Sequence, residues 1–588
     1  MDKELISDWK DLMNDLSEVG QLMSRIFSKT SSLVPRTFID LFKLSALQTK
    51  FSQEAPRFLA TENPSSKKEA NKQIPRTHSR ELLSSIVSDH DFSKKEKWGF
   101  HHQNEEDIVI VPSLSLDSHE LSKIPAVNFY EERQLCTLFY LRNPQVRLVF
   151  LTSLPVDKSI VDYYLNILQD TASVPNPAKR LLMLNCNDNS LTPLTAKVLR
   201  RPRLIQKIAS FINPNKAHLT CFISSNLERE LAIQLRVPLF SNDPSLSYWG
   251  SKSGSREVFK IAGVKFPPGT QLAYTSKELS TKIAQLYAQK HFRVNKFVVK
   301  LNLGFSGEGN AILDTEHFDS QNLEFSVLKS FRTLKFFSRM ENWSSFKKKI
   351  QDVGAIAEVW VEQIESSPSC QALINPKGEV ELLSTHEQVL QGGMIYQGCR
   401  FPCDSKYRAL LMEATRKIGQ VLASKGCKER FGVDFVITRK NTHWVVNAIE
   451  INLRWGGTTH PFITAKYLTN SKLTEEGLLL GSDSNFKFYL ATDNAQNEIY
   501  TGLSPEDFLE IVKLKPELQF NSQSLTGVVF HLLSAISVYG KFGFIAIGNS
   551  STEAELLFHR TLETLQNEAT LISSKKDYLE LELNVPHP

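Results

Sequence analysis

The sequence predicts a multidomain protein of α/β and α+β class, in which a Rossmann-like layer precedes two α+β units. Three observations support this prediction. The chain has 588 residues, more than the roughly 250–300 residues at which one hydrophobic core stops growing. From about residue 107, short apolar runs alternate with helical patterns. Apolar residues make up 41% and charged residues 23% of the chain, which is the balance of a soluble globular protein.

Charge and cysteine content narrow the possible functions. The formal net charge is +5, a small excess for this length, so we expect neither nucleic acid nor a membrane as a partner. The seven cysteines are scattered and form no CxxC pair, so reduced thiols are expected rather than disulfides or a zinc site. The first 25 residues contain six acidic residues and no apolar segment typical of a secretory signal. We therefore expect a cytoplasmic protein.

The first hundred residues are expected to differ from the rest of the chain. Apolar residues recur at helical spacing over positions 6–26, which predicts an N-terminal helical segment within residues 1–60. Residues 61–104 are rich in Ser, Lys, Asn and Glu. This composition is typical of a linker or a partly ordered arm.

Residues 105–246 are predicted to form the Rossmann-like layer. Buried strands separated by helices indicate a parallel sheet that is covered on both faces. No G-x-G-x-x-G motif follows the first strand, so the dinucleotide-binding fingerprint is absent. The predicted strands occupy 108–113, 146–153, 180–186 and 217–225, and the helical patterns lie near 129–142, 157–169, 195–212 and 226–236.

The remaining chain is divided near residue 482. Residues 247–482 hold a second unit with all the recognisable chemical motifs, and residues 483–588 form a small α+β unit in which we find none. The most apolar window, residues 527–548, contains His531 and Lys541. Such polar residues argue against a membrane span, so we expect a buried helix, a turn and a strand there.

A glycine-rich loop follows the predicted strand that ends at Lys300. Within LNLGFSGEGN, the glycines Gly304, Gly307 and Gly309 surround Ser306 and let backbone N–H groups approach an anion closely. Lys300 adds a point charge suited to phosphate. Taken alone, a glycine-rich hairpin after a strand is more often only a turn.

A second motif, AIAEVWVEQIE, contains Glu358, Val361 and Glu365. The apolar backbone segment suits an adenine edge, and a carboxylate suits the hydroxyls of a ribose. Acidic residues at strand ends are usually solvated, however, so this motif alone favours a structural interpretation.

The sharpest motif is FGVDFVI followed by HWVVNAIEINLRWGGTTH. Asp434 lies in one predicted strand, and Glu450, Asn452 and Arg454 alternate along another, so these three share a face. Two carboxylates and an amide oxygen suit Mg²⁺, and Arg454 suits a carboxylate or a transferring phosphoryl group. The flanking residues are apolar. Burying unpaired charge costs several kcal/mol, which favours a functional site over a polar outer face.

The order of these motifs resembles that of the ATP-grasp superfamily. GSKSGSREVFKIAGVKFPPG (250–269) resembles the segment that carries the other phosphate-binding lysine of that superfamily, here Lys252. The stretches at 112–133, 452–462 and 527–543 together resemble the pheganomycin-type peptide ligase branch. The resemblance covers about residues 107–560. It implies a pre-ATP-grasp domain, an ATP-grasp fold and a C-terminal domain over the ranges given above.

The resemblance also implies ATP and Mg²⁺ as cofactors and a role for each motif residue. His460 is a candidate for moving a proton from an attacking amine, but it is equally compatible with a phosphate contact or a structural role. Lys296 is an alternative to Lys300. The implied roles are phosphate binding by Lys252 and Lys300, closure over the phosphates by Gly304–Gly309, adenine contacts by Glu358 and Val361, a ribose contact by Glu365, Mg²⁺ ligation by Asp434, Glu450 and Asn452, and stabilisation of an acyl phosphate by Arg454.

The implied reaction joins a small-molecule carboxylate, such as an amino acid or its derivative, to an amine or peptide acceptor. It proceeds through an acyl phosphate and releases ADP and phosphate. Two other functions stay open: a small-molecule kinase of the same superfamily, and a non-catalytic ATP-binding scaffold. The sequence names neither substrate, and a homodimer is also possible.

Overall fold

The structure is a computed structural model that describes residues 105–172, 174–291, 293–304, 309–338, 341–391 and 395–583. The predicted helical segment and arm, residues 1–104, lie outside these ranges, as do Ser306 and Gly307 of the glycine-rich loop. The described residues all belong to one unit, Ser85–Pro588.

A four-stranded parallel sheet forms the first layer, with the strand order β3-β2-β1-β4. Ile108 and Ile110 pack on one face of β1, and Val109 and Val111 pack on the other, because side chains alternate along a strand. The predicted α/β layer is confirmed. Its strands are β1 (Glu106–Val111), β2 (Val146–Thr152), β3 (Leu181–Asn185) and β4 (Ala217–Cys221), and its helices are α1 (Ser118–Ser122), α2 (Lys158–Ala172), α3 (Leu194–Leu199), α4 (Pro202–Phe211) and α5 (Asn226–Leu235), with 3₁₀ helices at Val127–Arg142 and Pro177–Arg180.

A smaller antiparallel sheet follows, with the order β7-β6-β5-β8. Phe297, Val299 and Leu301 of β5 face a core shared with the helices, so the alternate residue Lys300 faces the opposite side. The strands are β5 (Lys296–Leu301), β6 (Asn310–Asp314), β7 (Lys335–Phe336) and β8 (Ala355–Val359), and the helices are α6 (Lys252–Ile261), α7 (Ser276–Gln289), α8 (Leu323–Ser330) and α9 (Trp343–Val353), with 3₁₀ helices at Pro244–Gly250 and Phe331–Thr333.

The third sheet is antiparallel, and its main path runs β14-β13-β10-β11-β12-β17-β20-β19-β18. Three short strands pair beside this path. The strands are β9 (Ile364–Ser366), β10 (Pro368–Ile374), β11 (Val380–Gln391), β12 (Ile395–Phe401), β13 (Glu429–Lys440), β14 (His443–Asn452), β15 (Lys472–Leu473), β16 (Leu479–Leu480), β17 (Phe486–Gln496), β18 (Phe520–Asn521), β19 (Thr526–His531) and β20 (Lys541–Gly548). The helices are α10 (Ser405–Ser424), α11 (Thr459–Leu468), α12 (Pro505–Leu514), α13 (Ile536–Tyr539) and α14 (Ser551–Leu583), with 3₁₀ helices at Glu498–Tyr500, Pro516–Leu518 and Leu533–Ala535.

The third sheet continues across residue 482. Phe401 of β12 pairs with Tyr489 of β17, so the predicted division at 482 falls between strands of one sheet, and the domain ranges stay a prediction. The apolar window at 527–548 was expected to hold a helix, a turn and a strand. The short helix α13 and the strand β20 are present, but β19 precedes them and was not expected. TGVVFH forms β19 because it is rich in β-branched and aromatic residues, which favour strands.

Two other expectations from composition can be compared with the described residues. All seven cysteines are free and buried, in line with the thiols expected. Within the described ranges, no helix has both the length and the apolarity that crossing a bilayer requires.

The pairing of β12 with β17 leaves no space for a side chain at Gly398. A Cβ atom added there would lie 2.1 Å from the carbonyl oxygen of Ala491. We expect Gly398→Ala to lower the thermal unfolding midpoint, because overpacking costs about 1–3 kcal/mol and the obstacle is backbone. Gly456→Ala is the matched control, since nothing lies within 4 Å of its added Cβ. Equal melting of both variants would contradict the tight pairing.

Candidate active site

A cavity of about 1070 Å³ lies between the sheets. Its volume exceeds the roughly 300–1,000 Å³ of a typical small-molecule pocket, so it has room for more than one ligand. Residues of the second and third sheets contribute to its wall, as do residues that follow strands of the first sheet, among them Arg133 and Phe222. Of the residues predicted from sequence, those that line it are Lys300, Glu358, Val361, Asp434, Glu450, Asn452 and Arg454.

Lys300 is buried and forms an ion pair with Glu358. Its Nζ lies 2.5 Å from Glu358 Oε2, and Nη1 of Arg256 lies 2.5 Å from the other oxygen, Oε1. Burial acts to raise the pKa of Glu358, but the charges of Lys300 and Arg256 outweigh it and hold the pKa below its ordinary value. Glu358 therefore holds two cations in place at the wall of the cavity, and its contact with an adenine stays a prediction. Arg256 was absent from the predicted set.

The competing lysine of the same strand has a different setting. The side chain of Lys296 is half exposed, and its Nζ lies 3.9 Å from Asp314. It does not line the cavity. The geometry therefore favours Lys300 as the lysine that faces a ligand.

Lys252 is the first residue of α6 and contacts the acidic strand pair. Ser251 caps the helix by accepting a hydrogen bond from the N–H of Gly254, which fixes where the helix begins. Lys252 Nζ lies 2.5 Å from Glu450 Oε1. The N–H of Ser253 donates to Asn302 Oδ1 at 2.9 Å, so the start of the helix is tied to the start of the glycine-rich loop.

Asp434 and Glu450 are direct partners on β13 and β14. Gln388 Nε2 and Asn452 Nδ2 donate to the two oxygens of Asp434 at 2.7 and 2.9 Å. Removal from solvent, with Glu450 nearby, raises the pKa of Asp434 to about 6. Burial also acts to raise the pKa of Glu450, but the charge of Lys252 outweighs this effect. The pKa of Glu450 is therefore below its ordinary value. Two carboxylates thus share a half-buried site, and a bound cation relieves their repulsion.

Arg454 comes two residues after the end of β14 and lines the cavity together with Asp434, Glu450 and Asn452. Its Nη1 donates to the carbonyl oxygen of Trp455 at 3.1 Å. Desolvation lowers its pKa, while the charges of Glu450 and Asp434 act in the opposite direction. A guanidinium beside two carboxylates is placed to meet the charge of a bound anion.

His460 is buried and does not line the cavity. Its Nε2 and that of His531 each lie 2.9 Å from Asp493 Oδ1, and the two nitrogens are 3.2 Å apart. Burial lowers the pKa of His460 to about 4, so its imidazole is neutral near pH 7. Burial acts to raise the pKa of Asp493, but the two histidines outweigh it and hold the pKa well below its ordinary value. Asp493, rather than His460, reaches the cavity.

The structure does not bring Glu365 to the cavity. Glu365 is exposed on β9, whereas its neighbour Ile364 lines the cavity, and adjacent strand residues point to opposite sides. Gly304 and Gly309 flank the undescribed part of their loop and do not line the cavity. Gly309 has a φ of 81°, a conformation that favours glycine.

Sequence reasoning missed several residues that line the cavity or hold its side chains. Arg256, Arg133 and Lys541 stand inside segments that carry the family resemblance, so their type and place were visible. Gln388 and Asp493 carried no spacing signal, because each comes from a separate strand and reaches the cavity only through sheet pairing.

Comparison with known proteins adds an independent observation. The family model described as IQCH-like, ATP-grasp matches residues 245–327 and 324–476. The chain is similar to L-propargylglycine–L-glutamate ligase of Streptantibioticus cattleyicolor, with 28% identity over 454 residues that cover 76% of this chain and 91% of that protein.

A second relative is IQ motif-containing protein H of Danio rerio, with 24% identity over 397 residues that cover 59% of this chain and 37% of that protein. Among solved structures, the ADP complex of PurK, N5-carboxyaminoimidazole ribonucleotide synthetase, has a TM-score of 0.46 and 13% identity, and covers 79% of this chain and 98% of that chain. At that similarity the structural match supports no further inference. The ATP-grasp resemblance noted in the sequence is confirmed by this family model over residues 245–476 of the chain.

Proposed function

We propose that this protein is an ATP- and Mg²⁺-dependent ligase that joins a carboxylate to an amine through an acyl phosphate. One observation carries the proposal: Lys252 contacts Glu450 while Glu450 pairs with Asp434, at a cavity that Lys300 and Arg454 also line. Phosphate-binding and metal-binding chemistry therefore meet at one place. The relative named as a ligase of two amino acids supports amino acids or their derivatives as the substrate class.

The two lysines are proposed to bind the phosphates of ATP. Lys300 and Lys252 are each held by a carboxylate, so the positions of both ammonium groups are fixed by the protein itself. Preorganised charge stabilises a transition state without further reorganisation. Trp360 and Val361 follow β8 and line the same cavity, and we place the adenine against them. Glu365 is left out of the proposed site because it is exposed.

Asp434, Glu450 and Asn452 are proposed to hold Mg²⁺. The residues fit this role, since two half-buried carboxylates face each other and one of them has a raised pKa. When bound, Mg²⁺ neutralises charge on the phosphate oxygens. Gln388 keeps Asp434 oriented through its hydrogen bond.

In the proposed reaction the substrate carboxylate attacks the γ-phosphate, and ADP leaves. The amine then attacks the acyl carbon, phosphate leaves, and the amine nitrogen gives up a proton. Arg454 is placed to neutralise the charge of the acyl phosphate and of the tetrahedral intermediate. His460 does not reach the cavity, but it contacts Asp493, which does. Any effect of His460 on the reaction is therefore proposed to pass through Asp493.

The reaction class is tested by measuring ADP release from ATP and Mg²⁺ with pairs of L-amino acids. We expect release that requires both a carboxylate and an amine, with a condensed product detected by mass spectrometry. ADP release with a phosphorylated product and no condensation would indicate a kinase instead. ATP binding without any turnover would indicate a scaffold.

Glu450→Gln should reduce ADP release at least about 100-fold, because it removes a proposed metal ligand while keeping the side chain's size. The matched control is Glu475→Gln, which changes an exposed residue of the β15–β16 turn and should leave turnover unchanged. Circular dichroism establishes that both variants are folded. Normal turnover in folded Glu450→Gln would contradict the metal assignment.

Lys300→Met should weaken ATP binding about tenfold or more, the equivalent of about 1.4 kcal/mol, because a buried positive charge at the phosphates is lost. Lys296→Met is the control, since that lysine is half exposed and outside the cavity. Calorimetric titration with a non-hydrolysable ATP analogue measures both. Equal affinities of the two variants for the ATP analogue would contradict the assignment of the phosphate contact to Lys300.

A further inference from the structure

We infer that the end of the cavity formed by Arg133, Lys541 and Asn494 binds an amino-acid carboxylate, namely the one that is not converted into the acyl phosphate. This inference rests on the proposed function and names the substrate group that the same cavity recognises. It depends on a surplus of buried positive charge at this end of the cavity.

Lys541 is a buried lysine with neutral partners. It lies on β20 with 7% of its surface exposed, and its Nζ donates to Tyr130 Oη at 2.7 Å and Asn494 Oδ1 at 2.6 Å. Within the described ranges, no carboxylate forms an ion pair with it. An ammonium group has three donors, so one remains for a ligand in the cavity that Lys541 lines.

Arg133 and Lys541 both contact Tyr130 and line the same cavity. The guanidinium carbon of Arg133 is 4.5 Å from the centre of the Tyr130 ring, and Lys541 Nζ is 5.1 Å from it. Nη1 of Arg133 lies 3.3 Å from Asp493 Oδ2. Arg133 and Lys541 thus carry two positive charges against one carboxylate. Burying unbalanced charge is costly, so this end of the cavity favours an anionic ligand.

The surroundings argue against a metal ion as that ligand. The ligand atoms of His460, Asp493 and His531 lie within 4.8 Å of one another, which suits a cation in distance. However, Asp493 already faces Arg133, and Lys541 lines the same end of the cavity. A divalent cation there adds to the positive charge that already lacks compensation.

The position of the surplus charge favours a carboxylate over a phosphate of ATP. The lysines proposed for the phosphates are Lys252 and Lys300, which pair with Glu450 and Glu358. Arg454 is proposed for the reacting group, and the charges of Glu450, Asp434 and Arg133 all act on it. Amide formation removes the negative charge of the carboxylate that reacts. When the amine acceptor is an amino acid, its own carboxylate does not react and keeps its charge. The retained carboxylate requires a separate cationic site, and a guanidinium beside an ammonium supplies one.

The test compares acids with carboxamides by saturation-transfer difference NMR. The probes are a pool of L-amino acids and dipeptides and the same pool with C-terminal carboxamides, each added to the full chain with a non-hydrolysable ATP analogue and Mg²⁺. We expect the acids to bind about tenfold or more tightly than the carboxamides, since charge-assisted hydrogen bonds are lost on amidation. In Lys541→Met this preference should fall to nearly one.

Three variants keep the test independent of misfolding. Lys541→Arg retains the charge and should retain the preference for acids. Asn494→Asp leaves Lys541 in place but supplies the missing carboxylate, so it should reduce the preference as Lys541→Met does. Lys440→Met changes an exposed lysine at the end of β13 and should behave like the unchanged protein. Thermal unfolding measured by circular dichroism checks each variant.

Equal binding of acids and carboxamides by the unchanged protein would overturn the inference, as would an undiminished preference in folded Lys541→Met. Absence of binding by every acid in the pool would overturn it too. Acid-selective binding that depends on Lys541 without amine-dependent ADP release would support the carboxylate site and refute the ligase. Amine-dependent ADP release without a preference for acids would support the ligase and refute the carboxylate site.

Discussion

The ion pair between Lys252 and Glu450 connects the two halves of the site. Lys252 starts α6, which is tied to the glycine-rich loop through Asn302, and Glu450 lies on the β13–β14 hairpin. An unpaired buried charge costs several kcal/mol, so helix and hairpin are held in register with each other. Lys252 lowers the pKa of Glu450, whereas burial and the charge of Glu450 raise the pKa of Asp434.

Compensation of buried charge also explains how the rest of the cavity is built. Glu358 holds Lys300 and Arg256 on the second sheet. Asp493 is held by two histidines and faces Arg133. Lys541 stands apart among these residues because its partners are neutral. A negatively charged ligand would supply Lys541 with the charged partner that it lacks among the described residues.

Local patterns in the sequence were sufficient for the strands of the parallel layer and for the acidic pair. Alternation along HWVVNAIEIN placed Glu450 and Asn452 on one face, and the hairpin puts Asp434 directly opposite Glu450. Alternation did not show that Glu358 would form an ion pair with Arg256. Nor did it show that Glu365 would point away from the cavity. Those outcomes depend on partners distant in sequence and on the exact start of β9, which period-two patterns leave open.

The last hundred residues of the chain are part of the structure that surrounds the site. Phe542 and Phe544 of β20 belong to the same hydrophobic core as Ile108 and Phe150 of the parallel sheet, and β17 is hydrogen-bonded to β12. Truncation near residue 482 would leave β12 as an unprotected edge strand with unpaired N–H and C=O groups, which is a template for aggregation. Shortened forms of this protein intended for crystallisation or engineering should therefore retain β17 to β20.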